Sequence, residues 1–148
     1  MTNAEHQRKV FWELFVEELR CQENPFSIKH KDYFATVNKN SSVSTYCLSI
    51  DFMYRGQYLR AGIYMLDNIP AFEQMYSHKE EIEASIGARL DWVMSGDKQA
   101  SVRRIKIDIP FVKNDVYSYA EAAKKAIYYV TKMREIFPKY SPECLFDY

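Results

Sequence analysis

The sequence predicts a single α+β domain in which an antiparallel sheet of two β-hairpins packs against three main helices, in the order α-β-β-α-β-β-α. Three observations carry this prediction. Two pairs of period-two segments are each joined by a glycine-containing turn. Segments of helical period stand before, between and after them. The chain has 148 residues, 47 % of them hydrophobic, and a domain of that size buries roughly 70 % of its unfolded surface, enough to need no disulfide or metal. Residues 1–148 read as one domain with 138–148 as a C-terminal tail, and the only internal echo is between the two hairpins.

The first helix opens on Thr2-Asn3-Ala4-Glu5, a capping box in which hydroxyl and carboxylate satisfy the first free amides. Phe11, Leu14, Phe15 and Leu19 then fall on one helical face, with Trp12 at its edge. The helix ends before Asn24-Pro25, because proline disfavours helical geometry in the residue before it. Residues 26–42 read as irregular apart from a short candidate strand near Tyr33–Val37.

In the first hairpin Tyr46, Leu48, Ile50 and Phe52 alternate with Cys47, Ser49 and Asp51. On its second strand Leu59, Ala61, Ile63 and Met65 alternate with Arg60, Gly62 and Tyr64, and Arg55-Gly56-Gln57 makes the turn with glycine free to take positive φ. One apolar and one mixed face per strand is the pattern of a sheet covered by helices on one side.

The middle helix starts at Asn68-Ile69-Pro70, an asparagine cap with proline in the first turn, and runs through Phe72, Met75, Tyr76, Ile82 and Ile86 to a left-handed cap at Gly87. A second capping box, Ser77-His78-Lys79-Glu80, marks a place for it to break and restart. The second hairpin runs from Arg89 to Met94, turns at Ser95-Gly96-Asp97-Lys98 and returns from Ala100 to Ile109, with Ile105, Ile107 and Ile109 on one face. Pro110 ends it. Asn114 or Ser118 starts the last helix, whose apolar stripe is Val116, Ala120, Ala123, Ile127, Val130 and Phe137, and Pro138 stops it.

Many common chemistries are excluded. Gly56, Gly62, Gly87 and Gly96 are never grouped into a phosphate-cradling loop. His6, His30 and His78 lie apart, with no Cys-x-x-Cys or His-Glu-x-x-His, so neither a metal nor another cofactor is expected. No serine sits in a glycine elbow. Asp51 is placed like the first acid of a magnesium-dependent nuclease, but the next strand lacks the acid-x-lysine pair. Cys21, Cys47 and Cys144 suggest no disulfide framework, and the N-terminus has no apolar signal stretch, so the chain is expected in the cytoplasm and not in a membrane. The acceptor Asn40-Ser41-Ser42 is then a chance match.

Charge is balanced, 20 Lys+Arg against 20 Asp+Glu, which disfavours disorder and a globally basic nucleic-acid binder but leaves room for a local patch. Such a patch is visible on the hairpins as Arg55, Arg60, Lys98, Arg103, Arg104 and Lys106. Arg60, Arg104 and Lys106 fall on the mixed face and would share it with Tyr58 and Tyr64, a combination suited to stacking and charge recognition. A solvated sheet face that blocks edge pairing is the plainer account. Tyr117, Tyr119, Tyr128 and Tyr129 crowd the last helix, more than one face can bury, and offer a surface for a partner or a second copy.

The block from Ala71 to Gly87, Ala71-Phe72-Glu73-Gln74-Met75-Tyr76-Ser77-His78-Lys79-Glu80-Glu81-Ile82-Glu83-Ala84-Ser85-Ile86-Gly87, followed by Leu90-Asp91-Trp92, resembles a bacterial family labelled domain of unknown function 4268. The aromatic first helix around Phe11, Trp12 and Phe15 and the last helix through Arg134 and Phe137 are similar too. The resemblance implies this architecture, structural roles for Ile82, Gly87 and Trp92, and no catalytic residue to carry over. In many relatives the domain follows a nuclease-like domain, which implies a link to nucleic-acid transactions or defence; no such domain is read in these 148 residues.

The expected function is therefore a non-catalytic binding or interaction module, presenting Tyr58, Arg60, Tyr64, Arg104 and Lys106 to a protein partner or nucleic acid. One alternative is an enzyme with no linear motif, using Asp51, Glu73 or His78 as acid/base groups. Another is a structural homodimer through the last helix.

Overall fold

The computed structural model describes residues 3–22, 29–31, 34–39, 46–66, 69–94 and 102–141. Thr2 of the first capping box, Pro25, the acceptor Asn40, the Asn68 cap, the turn 95–98 and the tail from Pro142 lie outside the described residues.

The elements are α1 (Asn3–Cys21), β1 (Lys29–Lys31), β2 (Phe34–Lys39), β3 (Tyr46–Met53), β4 (Tyr58–Leu66), α2 (Ile69–Tyr76), α3 (Lys79–Ile86), β5 (Asp91–Met94), β6 (Val102–Pro110) and α4 (Val116–Tyr140). Six antiparallel strands form one sheet in the order β1-β2-β3-β4-β6-β5. The two expected hairpins, β3–β4 and β5–β6, meet through β4 and β6. The extra strand expected near Tyr33–Val37 falls on β2, and β1 extends the sheet beyond it.

One sheet face is buried by the helices. Leu48, Ile50 and Phe52 of β3, Leu59, Ala61, Ile63 and Met65 of β4, and Ile105 and Ile109 of β6 are at most 3 % exposed. Phe11, Trp12 and Phe15 of α1, Phe72 and Met75 of α2, Ile82 and Ile86 of α3, and Tyr119, Ile127, Val130 and Phe137 of α4 close over them. Trp12 is deeper than the edge position expected, because its ring sits edge-on to Phe11 (4.8 Å) and Phe15 (5.1 Å). The centre is an aromatic stack. Phe52 lies between Phe11 (4.6 Å) and Phe111 (4.9 Å), and Tyr119 meets Phe52 edge-on at 5.7 Å.

Several local expectations are corrected. The middle helix does break at Ser77, but the capping box does not form. The Ser77 hydroxyl donates back to the Gln74 carbonyl at 2.6 Å, and His78 takes the cap position of α3 without a side-chain bond. Gly87 closes α3 at φ 84°, as expected. In the β3–β4 turn the left-handed residue is Gln57 (φ 58°), not Gly56. Its carbonyl accepts from the Phe111 amide (3.1 Å) and its Oε1 from the Lys113 amide (3.3 Å), so contacts beyond β6 hold it there.

The last helix is capped by Asp115, whose carboxylate accepts from the Tyr117 and Ser118 amides at 3.0 and 3.3 Å. Asn114 is at φ 66°, outside the extended geometry a cap needs, and Ser118 instead accepts from the Val112 amide at 2.9 Å. Pro138 lies inside α4, which continues to Tyr140. Proline removes a single amide, and the fully buried Phe137 before it holds the helical backbone through packing. Val116 is 48 % exposed, so the stripe begins one turn later.

Two outcomes follow. Phe52→Ala, which empties the space between two stacked rings, should lower unfolding free energy by about 3–5 kcal/mol in urea titrations. Burial raises the Tyr119 phenol above its ordinary pKa, the Asn114 amide hydrogen bond opposing the shift. Above pH 10 the unfolded chain therefore sheds this proton first, and the stability advantage of the native protein over Tyr119→Phe should shrink as pH rises from 10. A gap that widens instead would contradict this.

Candidate functional site

The sheet face away from the core is built by the alternate residues of the same strands. Antiparallel register lines them up in rows across β3, β4, β6 and β5. The first row is Asp51, Arg60 and Asp108; the second is Ser49, Gly62, Lys106 and Asp91; the third is Cys47, Tyr64, Arg104 and Val93. Tyr58 lies one row beyond Arg60, opposite Met53 and Pro110. All five residues singled out in the sequence share this face on two adjacent strands.

Gly62 explains how close the two hairpins come. A Cβ there would collide with the Ile105 carbonyl oxygen and lie 2.6 Å from Lys106 Cα. The missing side chain leaves β4 and β6 free to pair along their full length and leaves no bulk at the centre of the face.

The cations are not equivalent. The Arg60 Nε donates to Asp51 Oδ2 at 3.0 Å, and both side chains are half-buried. The Lys106 ammonium donates to both Asp108 oxygens at 2.8 Å, lies 3.5 Å from Asp91 Oδ2, and stands 6.0 Å over the Tyr58 ring. The Arg104 guanidinium lies 4.8 Å over the Tyr64 ring, and among the described residues no carboxylate approaches it within 4.0 Å. Burial pushes the Arg104 pKa below its ordinary value and the charge of Arg60 adds to the shift, with Asp51, Tyr64 and Cys47 opposing it. Among the described side chains of β3 to β6, three carboxylates thus balance three cations on this face, and they gather around Arg60 and Lys106.

Other members of the basic group do not join. Arg55 is in the β3–β4 turn, and Arg103 points to the helix side, 5.9 Å over the Phe72 ring. Lys98 lies outside the described residues.

Asp51, Glu73 and His78 are not brought together. Asp51 is on the open face beside Arg60, whereas α2 and α3 pack on the covered one. Glu73 is exposed, and the His78 Nδ1 lies 3.5 Å from Glu81 with its ring against Tyr140 at 5.1 Å. Among the described residues no group of three His, Cys, Asp or Glu side chains could hold a metal ion, and no helix is long and apolar enough to cross a membrane. On α4, Tyr119 is fully buried, while Tyr117 and Tyr128 are 86 % and 52 % exposed.

Reasoning from sequence missed Asp91, Asp108 and the role of Gly62. Asp108 was legible as the residue two beyond Lys106 on one strand. Asp91 was not, because its place depends on the β5–β6 register. A glycine in the middle of a strand was the available signal for close backbone approach.

A family model described as "Domain of unknown function (DUF4268)" matches residues 7–141 of this chain. No curated protein and no solved structure matches it.

The Asp51–Arg60 pair can be isolated by a double-substitution cycle in urea. Asp51→Asn and Arg60→Ala should each destabilise, with a coupling of about 1 kcal/mol between them, as for a well-aligned pair that is only partly exposed. Strict additivity would mean that the pair contributes nothing.

Proposed function

The chain belongs to the family described as domain of unknown function (DUF4268), and from the make-up of its sheet we propose that it is a non-catalytic, cytoplasmic interaction module whose open sheet face docks a protein partner. The observation that carries this is the gathering of Tyr58, Arg60, Tyr64, Arg104 and Lys106 on β4 and β6, on the side the helices leave uncovered. Aromatic rings beside arginine are the composition of interface hot spots. The charge balance favours protein over nucleic acid. On β3 to β6, Asp51, Asp91 and Asp108 already neutralise two of the three cations described there and would repel a phosphate backbone.

Two measurements test the reading. Affinity capture with the native protein and with Arg60→Ala/Arg104→Ala should identify a protein retained by the first and lost by the second, both chains giving the same far-UV circular dichroism. Equal retention overturns the assignment of this face. Fluorescence anisotropy with labelled single- and double-stranded oligonucleotides at low and moderate salt should show at most weak binding. A log–log salt slope of about −3 or steeper would mean several phosphate contacts and would replace the protein partner with nucleic acid.

A further inference from the structure

We propose that the Arg104–Tyr64 end of the open face is a receptor for a single carboxylate of the partner protein. The inference rests on the interaction-face reading and names the chemistry that would be recognised.

Arg60 is held by Asp51 at 3.0 Å and Lys106 by Asp108 at 2.8 Å, so each has an internal counter-ion. Arg104 has none within ion-pair distance among the described residues, and Asp51 acts on it only from farther away. The third row, which holds Arg104, runs from Lys39 of β2 through Cys47 and Tyr64 to Val93 and contains no acid.

The geometry also sets the shape of the ligand. Tyr64 covers one face of the guanidinium at 4.8 Å. A stacked guanidinium keeps its in-plane N–H donors available, and their fork matches the two oxygens of a carboxylate. Half-burial strengthens such a pair, since the field of one charge is less screened than in water. Partial burial and Arg60 together disfavour the charge on Arg104, and an incoming anion relieves both effects.

Among the described side chains of the face, one cation without a carboxylate in ion-pair distance calls for one negative charge. A phosphodiester backbone brings a charge at every nucleotide and would meet Asp51, Asp108 and Asp91 in the next two rows. A lone carboxylate on a protein avoids them. It can come from an acidic side chain or from a chain terminus.

The test is an NMR titration of the full chain, following in every variant the backbone amides of Tyr64 and of position 104, and in the native protein also the Arg104 side-chain Nε–Hε resonance, assigned by its loss in Arg104→Lys. Four probes are used: a peptide with blocked ends and one glutamate, the same peptide with glutamine instead, the glutamine peptide with a free C-terminal carboxylate, and a short oligothymidylate. A saturable shift is expected with the first or third probe, which tells side-chain from terminal carboxylate, and none with the second. Arg104→Lys keeps the charge but loses the fork, and should weaken binding about tenfold, the equivalent of one charge-assisted hydrogen bond. Arg60→Lys should change it less than Arg104→Lys does.

Three results would overturn the inference: no saturable shift with either carboxylate probe, equal affinity in Arg104→Lys, or tighter binding of the oligothymidylate. If those occur while partner capture still depends on Arg60 and Arg104, the carboxylate receptor fails and the interaction face stands. If the carboxylate probes bind as expected and capture is unchanged in the double variant, it is the interaction-face reading that falls.

Discussion

The fold hangs on one aromatic stack. Phe52 projects from β3 between Phe11 of α1 and Phe111 just beyond β6, with ring separations of 4.6 and 4.9 Å, and Tyr119 of α4 closes the side edge-on. Three stretches far apart in sequence, around residues 11, 52 and 111–119, are thereby fixed at one point. Large flat rings bury much apolar area each, and their offset and edge-on contacts constrain orientation as well as distance. The Tyr119 hydroxyl donates to Gln7 at 2.6 Å and accepts from the Asn114 amide at 3.1 Å, so the one polar atom in the stack is satisfied. The stack seats α1 and the start of α4, and Ile127, Val130 and Phe137 continue the burial of α4.

Because that stack draws the helices to one face, the other face is left to the alternate residues of the same strands. Period-two geometry makes the two properties inseparable: placing Leu59, Ala61, Ile63 and Met65 inward places Tyr58, Arg60, Gly62 and Tyr64 outward. Gly62 then lets β6 come close enough for full pairing, which brings Arg104 over Tyr64 and Lys106 beside Asp91 and Asp108. The same backbone approach that completes the sheet also assembles the charged rows. Their uneven satisfaction, with two cations paired and the third stacked on a ring, gives the face direction.

Two of the departures from local sequence rules have tertiary causes. Gln57 adopts the left-handed conformation offered to Gly56 because Phe111 and Lys113 donate to it from a distant segment. Pro138 fails to end α4 because Phe137 is locked in the core. Ser77 has the composition of a cap, but its hydroxyl bonds backwards to Gln74 and α3 starts uncapped at His78. At Gln57 and Pro138 contacts from outside the local window outweigh the local preference, whereas at Ser77 the competing hydrogen bond is itself local.

By itself the sequence determined the class, the element order, the inward set of each strand and the face on which Arg60, Tyr64 and Arg104 lie. Those follow from periods of 2 and 3.6 residues and from proline and glycine punctuation, which act over a few residues. Only the tertiary structure decided that β4 pairs with β6, that β1 extends the sheet beyond β2, and that Lys106 meets Asp91 while Arg104 meets Tyr64. Register between strands distant in sequence is set by packing of the whole core, and no local pattern encodes it.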